Sequence, residues 1–278
     1  MLELQGGDWR AALLPGQGAA FATLEHAGRP VLRPLDGQPP IGTKGGAFWM
    51  LPWTNRIDGG RFPVGERVYR LPVNETEAGN ALHGLSRNAP WVVERAGGGH
   101  ALLTQRLRHE PFDYAVRLEL ALAEEGFSLA LQLENTGVEA CPMGIGWHPW
   151  FARLPGSAPR FSATHRMVTD DRSLPLRAEP SAGLDGGSEW LGTDGHYAGW
   201  NGRAELRRDD LTVVMEAGGD WAGNLQFYAP AEYPVVCLEP VSHVPDVINR
   251  PALAPFGAMR VLAPGERLEG RLRLTIIG

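Results

Sequence analysis

The sequence is poor in several features, and each scarcity closes off a class of function. It has only two cysteines, Cys141 and Cys237, in 278 residues. No C-x-x-C pair occurs, which excludes a zinc ribbon or a thioredoxin motif. A chain of this size does not need a disulfide, so a reducing cytoplasm is the expected compartment. Runs of Lys or Arg are missing as well: 26 basic and 32 acidic residues are spread along the chain to a net charge of -6. Without a basic stripe to track phosphates, no nucleic-acid partner is expected. No stretch nears the roughly 20 apolar residues that a membrane span needs, so no membrane partner is expected either. The opening "MLELQGGDWRAALLPG" lacks the basic and apolar regions of a secretory signal. Nor is there an apolar i, i+3, i+4, i+7 series long enough for a confident helix.

Strand patterning and turns are plentiful. Gly (36) and Pro (23) make up about a fifth of the chain, which suits many short strands joined by turns. Val116, Leu118, Leu120 and Leu122 alternate with Arg117, Glu119 and Ala121. After "AEEG", Phe127, Leu129, Leu131 and Leu133 alternate with Ser128, Gln132 and Glu134. Period two on both arms of a short glycine-containing connection predicts a β-hairpin over 114–134. Leu268, Leu272, Leu274 and Ile276 repeat the pattern beyond the turn "APGE", as do Leu211, Val213 and Met215. Shorter strands are predicted at 31–33, 67–71, 91–95, 101–108 and 225–228. Residues 165–200 are polar and poorly periodic; a loop that long is usually functional or carries short strands of its own. No repeat or composition shift marks a linker. The expected fold is all-β, one large antiparallel β-sandwich over residues 1–278.

Four short stretches, far apart in sequence, carry the residue types of chemistry. "LPWTNRIDGGRF" (51–62) holds Asn55 and Arg56, which also fit a turn with a solvated arginine. "NALHGLSRNAPW" (80–91) holds His83 and Arg87, and His83-Gly84 also fits a turn. "GIGWHPWF" (144–151) sets His148 between Trp147 and Trp150, an aromatic setting in which burial would drive it toward neutrality unless a carboxylate or ligand meets it. "VVCLEP" (235–240) ends its apolar run on Glu239. A buried unpaired carboxylate is expensive, so Glu239 is paired, exposed at a strand end, or a tuned base. Period two places Glu239 on the face of Val235 and Cys237, opposite Val236 and Leu238. His83, His148 and Glu239 come singly, without H-x-H or H-x-x-x-H spacing, so zinc could be bound only through tertiary convergence. No G-x-S-x-G elbow occurs, and Cys141, followed by Pro142, is a weak nucleophile candidate. What remains is an acid/base set with tryptophan platforms, a combination that suits sugar rings and proton transfer.

These stretches, with "DGHYAGWNGRAEL" (194–206), "VCLEPVSHVPDVIN" and "LAPGERLEG", occur in an order that resembles the aldose 1-epimerase (galactose mutarotase-like) family over essentially the whole chain. The resemblance implies a large antiparallel β-sandwich, an isomerase activity and no cofactor or metal. It implies that Glu239 is the catalytic base and His148 the general acid. It further implies that His83 and Arg56 bind sugar, and that Asp194 holds sugar hydroxyls in an element reading "DGHY", with Tyr197 where phenylalanine is more usual. Asn55 and Trp147 are expected beside them as substrate-binding residues. The partner is then a small-molecule sugar, and the chain a monomer or homodimer. Two other readings stand beside this one. Arg56, Arg61 and Arg87 could serve a hexose-6-phosphate epimerase of the same fold, and a non-catalytic sugar-binding protein could use the same sandwich. His243 and Asp246 carry no expectation.

Overall fold

A computed structural model describes residues 1–35 and 44–278. Two antiparallel sheets face each other. The larger has ten strands in a continuous path: Leu2–Gly6, Trp9–Leu14, Ala20–His26, Ala47–Met50, Gly146–Pro149, Val235–Val241, Asn224–Tyr228, Asp194–Ala198, His165–Thr169 and Pro175–Pro180. Phe151–Ala152 and Arg29–Pro30 pair at its sides, making twelve strands. The second sheet has nine strands, ordered Val92–Gly97, His100–His109, Phe112–Ala123, Gly126–Asn135, Arg267–Ile277, Thr212–Gly219, Arg203–Arg207, Ala158–Phe161 and Leu184–Asp185. The predicted hairpin forms its third and fourth strands, in register with Leu118 opposite Leu131 and Leu120 opposite Leu129. The only helical elements among the described residues are three 3-10 turns. Among the described residues no helix is long and apolar enough to cross a membrane.

Alternation explains the layers. Along Phe112–Ala123 every second residue is buried, and the residues between are half-buried or exposed. The buried set of both sheets meets in one hydrophobic core. Large rings fill its middle: Phe127 of the nine-stranded sheet lies edge-on to Phe21 of the larger one at 5.8 Å, and Trp147 packs against Phe21, Trp49 and Phe151. Such offset and edge contacts are the favoured geometries for aromatic rings and hold the two sheets at a defined spacing.

Two short regions sharpen the sequence reading. The poorly periodic segment 165–200 carries four strands, three of them extending the larger sheet beside Asn224–Tyr228. The strand expected at 31–33 shrinks to Arg29–Pro30 and a single bridge between Leu32 and Phe151.

Candidate functional site

The larger sheet has one face on the core and one turned away from it, and strand Val235–Val241 shows how the sequence distinguishes them. Val236 and Leu238 join the main core, whereas Val235 and Cys237 form a separate small cluster with Trp150. Glu239 shares the parity of Cys237 and points to that second face. Register then gathers partners. His148 pairs with Phe48, and Gly146 pairs with Val241, which sets His148 opposite Glu239. Gln226 is opposite Glu239 on the other side, and His196 is opposite Gln226. A single row across five strands therefore reads Phe48, His148, Glu239, Gln226, His196. One step along the strands lies a second row, Cys237, Tyr228 and Asp194.

The loops that cover this row are held by unusual backbone. Asn55 (φ 52°) and His83 (φ 62°) both adopt the left-handed conformation, which few non-glycine residues do, and the His83 N–H donates to Asn55 O at 2.9 Å. Next to them, Gly84 (φ 71°) bridges to Leu51 so closely that a Cβ would stand 2.0 Å from the Leu51 carbonyl oxygen. Only glycine permits that approach. Asp246 pins the same loop from below. Its N–H donates to Arg56 O, and its Oδ1 accepts from the Asp58 N–H and from Asn249 Nδ2. His243 is a satisfied core histidine: Nδ1–H donates to Val244 O at 2.9 Å and Nε2 accepts the Thr54 N–H at 3.1 Å.

At the centre, His148 Nε2 lies 3.3 Å from Glu239 Oε1, with both side chains buried. His148 is sandwiched between Trp150, stacked at 4.7 Å and 19°, and Phe48 at 4.5 Å; the His83 ring stands edge-on at 5.2 Å. Burial pushes the Glu239 carboxyl well above its usual range; the Asp194 charge adds to this and Arg56 opposes it. Burial pulls His148 down to about 3, with the positive Arg87 contributing. Both directions favour a neutral acid beside a neutral imidazole, which is the cheaper state for a pair removed from water. His196 is likewise pulled down to about 4 by burial, and its Nε2–H donates to Asn224 Oδ1 at 2.9 Å.

The cations near the pair are mostly spoken for. Arg56 forks onto Glu75 at 3.0–3.1 Å, donates to Asn55 Oδ1 at 3.3 Å and lies 3.9 Å from Asp194. Asp194 accepts from Gln226 Nε2 at 2.6 Å. Arg61 is turned away onto Asn249. Arg87 is the exception. It donates from Nη2 to Leu82 O, its guanidinium lies 5.2 Å from the centre of the Phe48 ring, and among the described residues no carboxylate pairs with it.

The structure brings Glu239, His148, His83, Arg56, Asn55 and Asp194 together. It separates Trp147, which the sequence reading placed with them. Trp147 is fully buried on the core face among Phe21, Trp49, Phe127 and Phe151, and Trp150 supplies the aromatic wall instead. Alternation carries the reason: His148 and Trp150 share a parity that Trp147 lacks. Sequence reading missed Gln226 and His196. Their signal is polar residues on the alternate positions of "NLQFY" and "DGHY", buried in strands at the middle of a sheet.

Buried polar atoms without a hydrogen-bond partner cluster on this face. They include Glu239 Oε2, Gln226 Oε1, Nδ1 of His83, His148 and His196, Arg87 Nε and Trp150 Nε1. Orphaned groups of this density are costly in a native fold unless a ligand meets them. A groove of about 820 Å³ on the outer face of the nine-stranded sheet offers nothing comparable; its Arg117 and Glu119 pair with each other at 2.8 Å.

The family model for aldose 1-epimerase matches residues 1–275. The chain belongs to the aldose 1-epimerase family. It is similar to the uncharacterized Escherichia coli K12 protein YphB, 26% identical over 263 residues that cover 89% of each chain. Among solved structures it resembles a galactose mutarotase-like protein from Clostridium acetobutylicum, with a TM-score of 0.87 and 20% identity over 99% of this chain and 94% of that one. A galactose mutarotase-like protein from Lactobacillus casei has a TM-score of 0.80 and 16% identity, covering 100% of both chains. At these identities the two structures show the fold, which is that of the aldose epimerase family.

Proposed function

We propose that this chain is a mutarotase that interconverts the α and β anomers of a free sugar. The observation that carries the reading is the buried His148–Glu239 contact at 3.3 Å on a face crowded with unpartnered donors and acceptors. Donors and acceptors in that number suit a molecule rich in hydroxyls, and Trp150 suits the apolar face of a pyranose.

The chemistry needs one proton shared by the pair. A Glu239 carboxylate takes the proton from the anomeric hydroxyl. As the C1 oxygen becomes a carbonyl, the bond from C1 to the ring oxygen breaks. Protonated His148 gives its proton to that ring oxygen. The open aldehyde rotates about C1–C2, and the same steps in reverse close the other anomer. Before opening, the pair is carboxylate and imidazolium; after opening, it is carboxylic acid and imidazole. The two states hold the same number of protons and differ by one transfer. The directions imposed by burial favour the second state, so sugar binding must draw the proton onto His148, and hydroxyls donating to the carboxylate do this. Each positioned group contributes about 10²–10⁴-fold. Arg56 and Asp194, neutralised together with Glu75, orient hydroxyls without leaving a net positive pocket.

Arg87, which has no carboxylate partner among the described residues, favours a second reading, in which the sugar carries a phosphate. Polarimetry of freshly dissolved single anomers separates the two. The free-sugar reading expects equilibration of an unphosphorylated aldose to be accelerated well beyond its spontaneous rate. Acceleration confined to 6-phosphates supports the second reading, and none on any aldose refutes both.

A further inference from the structure

The proton relay leaves one nearby side chain unused. Cys237 lies two residues before Glu239 on the same face of strand Val235–Val241, is fully buried, and carries a free thiol. Ligand atoms of His148, Cys237 and Glu239 all lie within 4.8 Å of one another. Tetrahedral zinc, with bonds of about 2.0–2.3 Å, holds its ligand atoms about 3.3–3.6 Å apart. The 3.3 Å between His148 Nε2 and Glu239 Oε1 already meets that spacing. A movement of roughly 1 Å by the sulfur completes the set. A second feature points to a ligand at this spot: Glu239 Oε2 is buried and has no hydrogen-bond partner. One sulfur, one imidazole nitrogen and one carboxylate oxygen suit a borderline-soft cation and not magnesium or calcium, which take oxygen ligands.

We propose that His148, Cys237 and Glu239 form a three-ligand site for Zn²⁺, with its fourth position toward the sugar. On binding, the thiol proton and the proton shared by the acid/base pair leave to solvent, and sulfur, nitrogen and oxygen bonds to the metal replace them. The occupied site cannot relay protons, because the imidazole lone pair and the carboxylate are both committed. Zinc is therefore a reversible inhibitor. The binding stands on geometry alone; the inhibition rests on the function proposed above.

Cobalt(II) reports the site without reference to activity, since a thiolate ligand gives it a near-ultraviolet charge-transfer band. Adding Co²⁺ to the wild-type chain is expected to give that band at one equivalent, and Zn²⁺ to bleach it. Cys237→Ala is expected to abolish the band while the fold, followed by circular dichroism, is kept. Cys141→Ala, which removes the other buried thiol, is expected to leave the band in place. Should Cys237→Ala fail to fold, His148→Gln serves as the second variant and is expected to weaken Co²⁺ binding at least tenfold. In polarimetry, half-inhibition of the wild type by Zn²⁺ is expected to be relieved by a chelator. The proposal is overturned by a wild type without the band, by a band that survives in Cys237→Ala, or by one that depends on Cys141. A cobalt band in a chain that accelerates no mutarotation refutes the proposed function and leaves the metal site standing.

Discussion

Replacing Glu239 by Gln tests the functional reading most directly, because it changes charge and proton affinity while keeping shape. Glu239 is 2% exposed, sits 3.3 Å from His148 Nε2 and lies opposite Gln226 across the strand pair. An amide fits the same space, so no cavity forms. It cannot take the anomeric proton. The expected loss in kcat is about 10²–10⁴-fold, equivalent to about 2.7–5.4 kcal/mol of barrier. Stability should move the other way. The folded carboxyl is held well above its usual range by burial, so it binds its proton more tightly folded than unfolded. A group of that kind contributes stability below its unfolded pKa that is lost as pH rises toward the folded pKa. Glu239→Gln removes this loss, so the variant should melt at a higher temperature relative to wild type at pH 8 than at pH 5. Polarimetry and thermal denaturation at the two pH values measure both effects. A mutarotation rate within twofold of wild type would refute the catalytic assignment. A variant less stable at every pH would mean that the carboxylate holds the fold together and is not strained for chemistry.

Other outcomes follow from the same contacts. His243 is fully buried in the neutral form and pulled down to about 4, which against an unfolded value near 6.5 amounts to roughly 3 kcal/mol. Because its folded pKa lies below the unfolded one, that stability is present above pH 6.5 and is lost as pH falls toward 4, with His83, His148 and His196 adding in the same direction. Urea denaturation at pH 7 and pH 4.5 should show the decline, and a flat profile would count against buried neutral imidazoles. Trp147→Ala should cost about 3–5 kcal/mol of stability by opening the core. Trp150→Ala should lower kcat/KM up to about tenfold through lost ring contact. Equal kinetic defects in the two folded variants would contradict the assignment of their faces.

The all-β class was legible in the chain alone, because alternation along 112–135 and 267–277 buries one face only if those segments are strands. The sequence also grouped Glu239 with Val235 and Cys237 by parity, whereas the structure shows that Val236 and Leu238 take the core side and leave Glu239 on the other face. The same rule, applied to "GWHPW", separates Trp147 from His148 and Trp150; the expectation failed where aromatic character was weighed above parity. Which side chains meet depends on strand pairing between distant segments. Register between Gly146–Pro149 and Val235–Val241 sets His148 against Glu239, and pairing with Asn224–Tyr228 and Asp194–Ala198 adds Gln226 and His196. Local pattern states which face a side chain takes, because the backbone repeats every two residues. It does not state which strand lies alongside, because that choice comes from hydrogen bonds and packing between segments far apart in the chain. For the same reason, Cys237 reads as an apolar strand residue in sequence and becomes a candidate metal ligand only when the neighbouring segment 146–150 brings His148 and Trp150 to its side.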